Sequence, residues 1–263
     1  MQLTFETFAI LACVAFLAGG IDAMAGGGGL LTVPALMAAG VPPVPALATN
    51  KLQGAFGTGG AFWAFYRAGH VDLRRFALPA AGAFLGAGAG TVTVQIVDPW
   101  FLAGLVPVLL VSIALYFLLA PPLGQADRAS RLGPAALTAA AAVIGFYDGF
   151  FGPGTGSFFT TLFVVMGGLG LVRAIANTKF LNFATNVASL LAMIAGGQVI
   201  WALGLTMACA NVLGNQIGAR LAMRYGGRGV RPLLVVMSIA LTAKLVSDPE
   251  NPLRQLAART LGW

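Results

Sequence analysis

Two aspartates and two lysines stand inside otherwise apolar runs, and they recur as a set. Ile21 to Gly29 reads IDAMAGGGG and is followed by Thr49-Asn50-Lys51, while Tyr147 to Thr155 reads YDGFFGPGT and is followed by Asn177-Thr178-Lys179. The aspartates, Asp22 and Asp148, are 126 residues apart, and the lysines, Lys51 and Lys179, are 128 apart. A carboxylate at membrane depth is costly unless it pairs, takes up a proton or serves in a relay. Two readings of Asp22 and Asp148 therefore stand open: a structural ion pair with Lys51 or Lys179, or a proton-coupling role. Each lysine in turn either snorkels to an interface from a helix end or holds an anion. Polar neighbours at helical spacing argue for the second. Asn50, Gln53 and Thr58 surround Lys51, and Lys179, Asn182 and Asn186 share one helix face with Thr185 and Ser189 close by. A polar face on a membrane helix points to a wet cavity rather than to lipid.

The glycine clusters carry the complementary chemistry. Gly26 to Gly29, and Gly152-Pro153-Gly154-Thr155-Gly156, interrupt a helix. Each precedes an apolar run, so each exposes amide groups at a new helix N-terminus, an end that attracts anions. The candidate substrate contacts are Lys51 and Lys179, with Thr49, Asn50, Asn177, Thr178 and Asn182 orienting the ligand and Gly28, Gly29, Gly154 and Thr155 offering backbone. Gln53, Asn186, Asn211 and Asn215 are candidates to line the pathway, although Asn211, Asn215 and Gln216 equally suit bonds between helices. Met24, Phe56, Phe151 and Phe158 are expected to accommodate a short organic tail.

Other chemistries lack their residues. GGGGLLT does not fit the phosphate-binding GxxxxGK[ST] pattern. Tyr147-Asp148 resembles half of an intramembrane aspartyl protease dyad, but no GxGD supplies the second carboxylate. The lone His70 sits in a basic loop beside Asp72, and neither a serine elbow nor a His/Cys/carboxylate metal cluster is present. No enzyme activity, cofactor or metal is expected.

The elements that must position these residues are membrane helices. The chain of 263 residues is 58% hydrophobic and 9% charged, against about 25% charged in soluble domains, and its mean hydropathy is +0.87. Its net charge of +7 comes from arginines in short connections (Arg67, Arg74, Arg75, Arg128, Arg131, Arg220, Arg224, Arg228 and Arg231). That is the signature of cytoplasmic loops, and without a basic stripe it excludes nucleic acid as a partner. Membrane lipid is the partner of the apolar surface. Cys13 and Cys209 read as small buried apolar groups. The apolar run from Phe8 to Gly19 follows Glu6 instead of a basic segment, so it reads as a retained span and not a signal peptide.

The predicted fold is an all-α polytopic membrane protein of two inverted repeats, about five hydrophobic segments each, with short or broken helices at the glycine clusters. Residues 1–120 form the first repeat, 121–133 a cytoplasmic linker, 134–246 the second repeat and 247–263 a tail. The segments fall at about 5–22, 29–40, 49–66, 77–97 and 100–120, then 134–151, 156–170, 177–196, 200–219 and 231–246. Gly69, Gly86 and Gly90 recur as Gly197, Gly214 and Gly218, at spacings that suit close helix packing. Equivalent loops carry opposite charge: Arg67, Arg74 and Arg75 have no counterpart near 196–199, and Arg220, Arg224 and Arg228 correspond to a loop holding only Asp98. Such loops belong on opposite sides of the membrane, which places both termini outside the cytoplasm. Twin bundles are expected to meet around a midplane pocket.

GGIDAMAGGGGLLTVPALMAAGVPPVPALATNKLQGAFGT, GFYDGFFGPGTGSFFTTLF and NTKFLNFATNVASL resemble the sulfite exporter TauE/SafE (TSUP) permeases over essentially the whole chain. The resemblance implies a bacterial inner-membrane secondary transporter of sulfur-containing anions such as sulfite, sulfoacetate or other organosulfonates, working by alternating access. A passive anion channel is the alternative mode. The resemblance leaves the exact substrate, the direction and the oligomeric state open.

Overall fold

A computed structural model describes residues 4–119, 123, 124, 126–225, 230–247 and 251–255. Arg228 and the tail beyond residue 255 lie outside the described residues. The architecture is all-α, with no strand among the described residues. In chain order the helices are α1 (Phe5–Ala25), α2 (Gly29–Ala38), α3 (Pro43–Arg67), α4 (Leu73–Gln95), α5 (Pro99–Leu119), α6 (Pro134–Phe150), α7 (Thr155–Val165), α8 (Leu171–Ala195), α9 (Trp201–Tyr225) and α10 (Val230–Val246).

The glycine clusters break the chain where expected. α1 ends on Gly26, whose φ of 78° lies in the left-handed region and whose amide bonds the Asp22 carbonyl at 2.8 Å. Between α6 and α7, Gly152 and Gly154 take φ of 96° and 85°, values that side chains bearing a Cβ avoid. α2 and α7 are only 10 and 11 residues long. At 1.5 Å per residue they reach about 15 to 17 Å, roughly half of a hydrocarbon core.

Several boundaries differ from the sequence expectation, among them the end of α9 at Tyr225 instead of 219 and the end of α7 at Val165 instead of 170, and two bear on the site. α3 and α8 start at Pro43 and Leu171, six residues before the expected starts at 49 and 177. Pro43 and Pro45 sit in the first turn of α3, where a missing amide proton leaves no helical bond unmade. Arg173 sits in the first turn of α8 with its side chain outside, on Asp127. Lys51 and Lys179 are consequently interior residues of 25-residue helices. Neither snorkels.

The halves interlock instead of standing side by side as twin bundles. α1 packs along α9 and α4 along α6, α3 crosses α9 as α8 crosses α4, and α3–α8 and α5–α10 meet directly. Exchanging α1–α5 for α6–α10 maps this pairing onto itself. Small residues make the closest seams. A Cβ at Gly86 or Gly90 would lie 2.1 or 2.0 Å from the carbonyl oxygen of Ala142 or Phe146 on α6. At Gly214 or Gly218 it would lie 2.0 or 2.2 Å from that of Phe16 or Gly20 on α1. Backbones this close gain dispersion contact that larger residues would forbid.

Polarity runs opposite to that of a water-soluble protein. The outer surface exposes Ile10, Leu85, Ile96, Val143 and Leu213, whereas Lys51, Lys179, Asn177 and Asn215 are buried. Cys13 and Cys209, expected inside, are exposed on this apolar exterior. α1, α4, α5 and α8 are long and apolar enough to cross a membrane.

Candidate functional site

The two breaks cross each other, and the site is built on that crossing. A Cβ at Gly26 would sit 2.4 Å from the carbonyl carbon of Gly156, and one at Gly29 would sit 3.1 Å from Pro153 Cα. The Ser157 hydroxyl donates to the Ala25 carbonyl, tying the start of α7 to the end of α1. α2 and α7 thus begin side by side. Leu30 and Leu31 bond back to the Gly27 and Gly28 carbonyls, and Thr155 and Ser157 to those of Gly152 and Gly154, which leaves the Gly29 and Gly156 amides without a backbone acceptor.

The lysines pair with the aspartates of the opposite half. Lys51 Nζ lies 2.8 Å from Asp148 Oδ1 and donates to the Asp148 carbonyl at 2.5 Å. Lys179 Nζ lies 2.7 Å from Asp22 Oδ2 and donates to the Asp22 carbonyl at 2.5 Å. Both lysine side chains are 1% exposed, against 6% for Asp148 and 18% for Asp22. Each ammonium therefore also satisfies a carbonyl in the last turn of α1 or α6, next to the break. A helix C-terminal end favours a cation for the same reason.

Between the pairs lies a cavity of about 50 Å³ that is partly open to solvent. Asp22 and Asp148 reach its wall, together with Gly26, Gly28, Gly29, Gly152, Gly154, Thr155 and Gly156 from the breaks and the helix starts. α2 adds Thr32; α3 adds Asn50, Gln53, Gly54 and Thr58; α8 adds Asn182 and Asn186; α9 adds Asn211. The Asn50 amide is oriented by Thr32 Oγ1, which donates to Asn50 Oδ1 at 2.6 Å, and by Gln53 Nε2 at 3.1 Å. Asn186 Nδ2 donates to the Asn182 carbonyl at 2.8 Å. The wall is polar throughout and carries two full positive and two full negative charges at or just behind it.

The expected site residues divide. Asn50, Asn182, Gly28, Gly29, Gly154, Thr155, Asp22, Asp148, Gln53, Asn186 and Asn211 come together on the wall. Lys51 and Lys179 stand behind their carboxylates and not on the wall. Thr49, Asn177 and Thr178 are fully buried away from it. Asn177 accepts the Asp72 amide at 2.9 Å and donates to the His70 carbonyl, fastening the α3–α4 loop to α8. Thr178 bonds Thr160 at 3.1 Å. Asn215 donates to Asn211 Oδ1 at 2.8 Å, and Asn211 Nδ2 donates to the Ala15 carbonyl at 3.1 Å, so this pair links α9 to α1. The aromatic lining is corrected as well: Phe151 belongs to the core and Phe56 is 51% exposed on the outside, and neither they nor Met24 and Phe158 reach the cavity. Thr32 and the glycines 26, 54, 152 and 156 were not singled out as contacts. Gly26, Gly152 and Gly156 lie in the repeated glycine clusters, and Thr32 is a hydroxyl one turn into an otherwise apolar helix; Gly54 gave no signal.

The family Sulfite exporter TauE/SafE matches residues 11–245. The chain is 47% identical over 254 residues to the probable membrane transporter protein ORF9 of a Sinorhizobium species, covering 96% of this chain and 97% of that one. It is 42% identical to a probable membrane transporter protein of Haemophilus influenzae, covering 94% and 98%. Against the probable membrane transporter protein YfcA of Escherichia coli K12 the identity is 47%, covering 91% and 89%. No solved structure matches. With its apolar exterior, its charged interior and these relatives, the chain is an integral membrane transporter that belongs to the sulfite exporter TauE/SafE family.

Proposed function

We propose that the central cavity is the translocation site for a compact sulfur oxyanion or small sulfonate, carried by alternating access across a bacterial inner membrane. The observation that supports this most is the crossing of two broken helices, with the N-termini of α2 and α7 and five amide side chains (Asn50, Gln53, Asn182, Asn186 and Asn211) converging on one cavity. The Gly29 and Gly156 amides, the helix dipoles and carboxamide donors together solvate an oxyanion that has left water. Broken helices at the meeting of two halves are the usual place for such a site. The absence of apolar side chains from the described wall favours sulfite or a short sulfonate over a ligand with a long hydrocarbon tail.

In the form described, Lys51 and Lys179 are neutralised by Asp148 and Asp22. The ammonium groups act on the anion when a carboxylate gives up its lysine, so the pairs serve as the switch between empty and loaded site. Alternating access fits the buried location better than an open channel does, because a permanent cationic pore has no use for counter-charges that cancel its field. The two halves face opposite ways, with both termini outside the cytoplasm and 121–133 inside.

Purified protein in liposomes, offered labelled sulfite, sulfoacetate and methanesulfonate, tests this reading. Saturable flux above that of empty vesicles for at least one anion is expected, with loss in Asn50→Ala and Asn182→Ala. Flux equal to that of empty vesicles across the whole panel overturns it.

A further inference from the structure

Asp22 and Asp148 are counterparts in the repeated motif, yet their carboxylates are not equally satisfied. Asp22 Oδ2 holds Lys179 and Asp22 Oδ1 accepts the Gly28 amide at 3.3 Å. Asp148 Oδ1 holds Lys51, but Asp148 Oδ2 is buried and has no hydrogen-bond partner. Two further oxygens, Gln53 Oε1 and Asn182 Oδ1, are in the same condition, and their residues line the same cavity as Asp148. The Gln53 amide is held by its own Nε2 donating to Asn50 Oδ1, which leaves its oxygen as the free end. What this part of the wall lacks is a hydrogen.

The charges give a second, independent count. Lys51 and Lys179 balance Asp22 and Asp148, so the site is neutral. A monoanion brought into it leaves one buried negative charge uncompensated, which is expensive in a low-dielectric interior. A proton on Asp148 Oδ2 repairs both deficits. It turns a partnerless acceptor into a donor on a wall that also carries the Gln53 and Asn182 oxygens, and it releases Lys51 to face the anion. The loaded site is then neutral again.

We infer that Asp148 carries the coupling proton, one per monoanion, while Asp22 is a structural partner of Lys179. The inference rests on the transport reading above. The ionisable groups about Asp148 are few. Lys51 comes from α3, Asp22 from α1 and Lys179 from α8, and Tyr147 next in sequence spends its hydroxyl on the Pro153 carbonyl at 2.6 Å. α7 has no ionisable residue, and α4 has only Arg74 and Arg75 in its first turn. Arg67 is at the end of α3, and Arg173 is engaged by Asp127 outside the cavity.

Methanesulfonate is a suitable probe because its charge does not change near neutral pH. Liposomes containing wild type, Asp148→Asn or Asp22→Asn are assayed for methanesulfonate exchange at equal pH and for accumulation under a pH gradient. Wild type should do both, reaching at most about tenfold accumulation per pH unit for one proton per anion. Asp148→Asn should lose accumulation under the gradient, since its carboxamide cannot take up or release the proton. Asp22→Asn leaves Lys179 unbalanced, so by the same charge count its anion-loaded site is neutral without a proton and proton uptake on binding should fall. A second readout needs no variant: methanesulfonate added to weakly buffered wild-type protein should raise the pH, by one proton taken up per anion bound. Exchange that persists with accumulation driven by a sodium gradient, or with coupling lost in Asp22→Asn but kept in Asp148→Asn, overturns the assignment while sparing the transport reading. Absence of exchange in wild type removes both.

Discussion

Asp148 and Asp22 show how one motif, written twice, comes to two different environments. Both accept from a lysine of the other half on a carboxylate and a backbone carbonyl oxygen, but Asp22 is 18% exposed and accepts the Gly28 amide as well, whereas Asp148 is 6% exposed. Removing a lysine should therefore be felt unequally. Lys51→Ala leaves an unpaired carboxylate in the drier place, at a cost of about 3 to 5 kcal/mol for a broken buried pair. Lys179→Ala should destabilise less. Unfolding of the two variants in detergent, followed by heat or denaturant, checks the order, and equal losses would show that the difference in burial has no energetic weight. The combined Lys51→Met/Asp148→Leu variant should recover most of the loss, because two apolar residues leave no charge stranded. The four charged residues were legible in the sequence, since charge at such depth demands a partner. Their pairing across halves was not, because residue order carries no information about which lysine a carboxylate reaches. Thr49, Asn177 and Thr178 misled for a related reason: a polar residue beside a buried lysine also serves to fasten a loop, as Asn177 does at 70–72.

At the level of elements, glycine has two separate uses. At 26, 152 and 154 it supplies left-handed backbone at the breaks; at 86, 90, 214 and 218 it permits helix seams. Gly90→Leu on α4 and Gly218→Leu on α9 should each separate a seam, since even a Cβ would meet a carbonyl oxygen at 2.0 or 2.2 Å. The expected penalty is at least the 1 to 3 kcal/mol typical of overpacking, read as a lowered unfolding midpoint. Gly88→Leu on the same helix has nothing within 4 Å of its Cβ and serves as the control. The packing role of Gly86, Gly90, Gly214 and Gly218 was readable from the sequence alone; Gly69 and Gly197, grouped with them there, instead take φ of 76° and 66° just past helix ends, with nothing within 4 Å of a Cβ. The starts of α3 and α8 were not, because prolines at 43 and 45 look like breakers until they are placed in a first turn. The linker supplies a further prediction. Asp127 Oδ1 accepts the Gly170 amide at 2.6 Å and its Oδ2 meets Arg173 at 2.6 Å. The Gly170 hydrogen bond, followed by Arg173, holds this carboxyl below its ordinary value of 3.8. Because the folded protein binds this proton less readily than the unfolded chain, the contact stabilises fully above that value and is lost as pH falls through the lower folded one. The unfolding midpoint of wild type should exceed that of Asp127→Asn at neutral pH by a small amount, as for an exposed pair. The gap should close below about pH 4; a gap that persists there would mean the pair does not hold the linker.

For the whole molecule, the interlocking of α1 with α9 and α4 with α6 makes each half depend on the other for its shape: the backbone seams at Gly86, Gly90, Gly214 and Gly218 all join one half to the other. On the alternating-access proposal, motion between states has to slide helices along those glycine seams and tilt α2 and α7 about their breaks, with the two ion pairs as the only charged links between halves at the centre among the described residues. The proposed inverted arrangement makes a definite statement about sides. The connections 67–73 and 121–133 should face the cytoplasm, while 95–99 and 195–201 face outward, following the arginines in the first group and their lack in the second. Cys13 and Cys209 are exposed on the apolar surface, so both are first replaced by alanine. Single cysteines are then placed at Ala68, Ala126, Asp98 and Gln198, and whole cells are treated with a membrane-impermeant thiol reagent. Positions 98 and 198 should label in intact cells, and 68 and 126 only after the membrane is opened. Should 98 and 198 label from different sides, the halves would be parallel copies instead of inverted ones. The two short helices would then enter from one face, and a single cavity at their crossing would no longer be reachable from each side in turn.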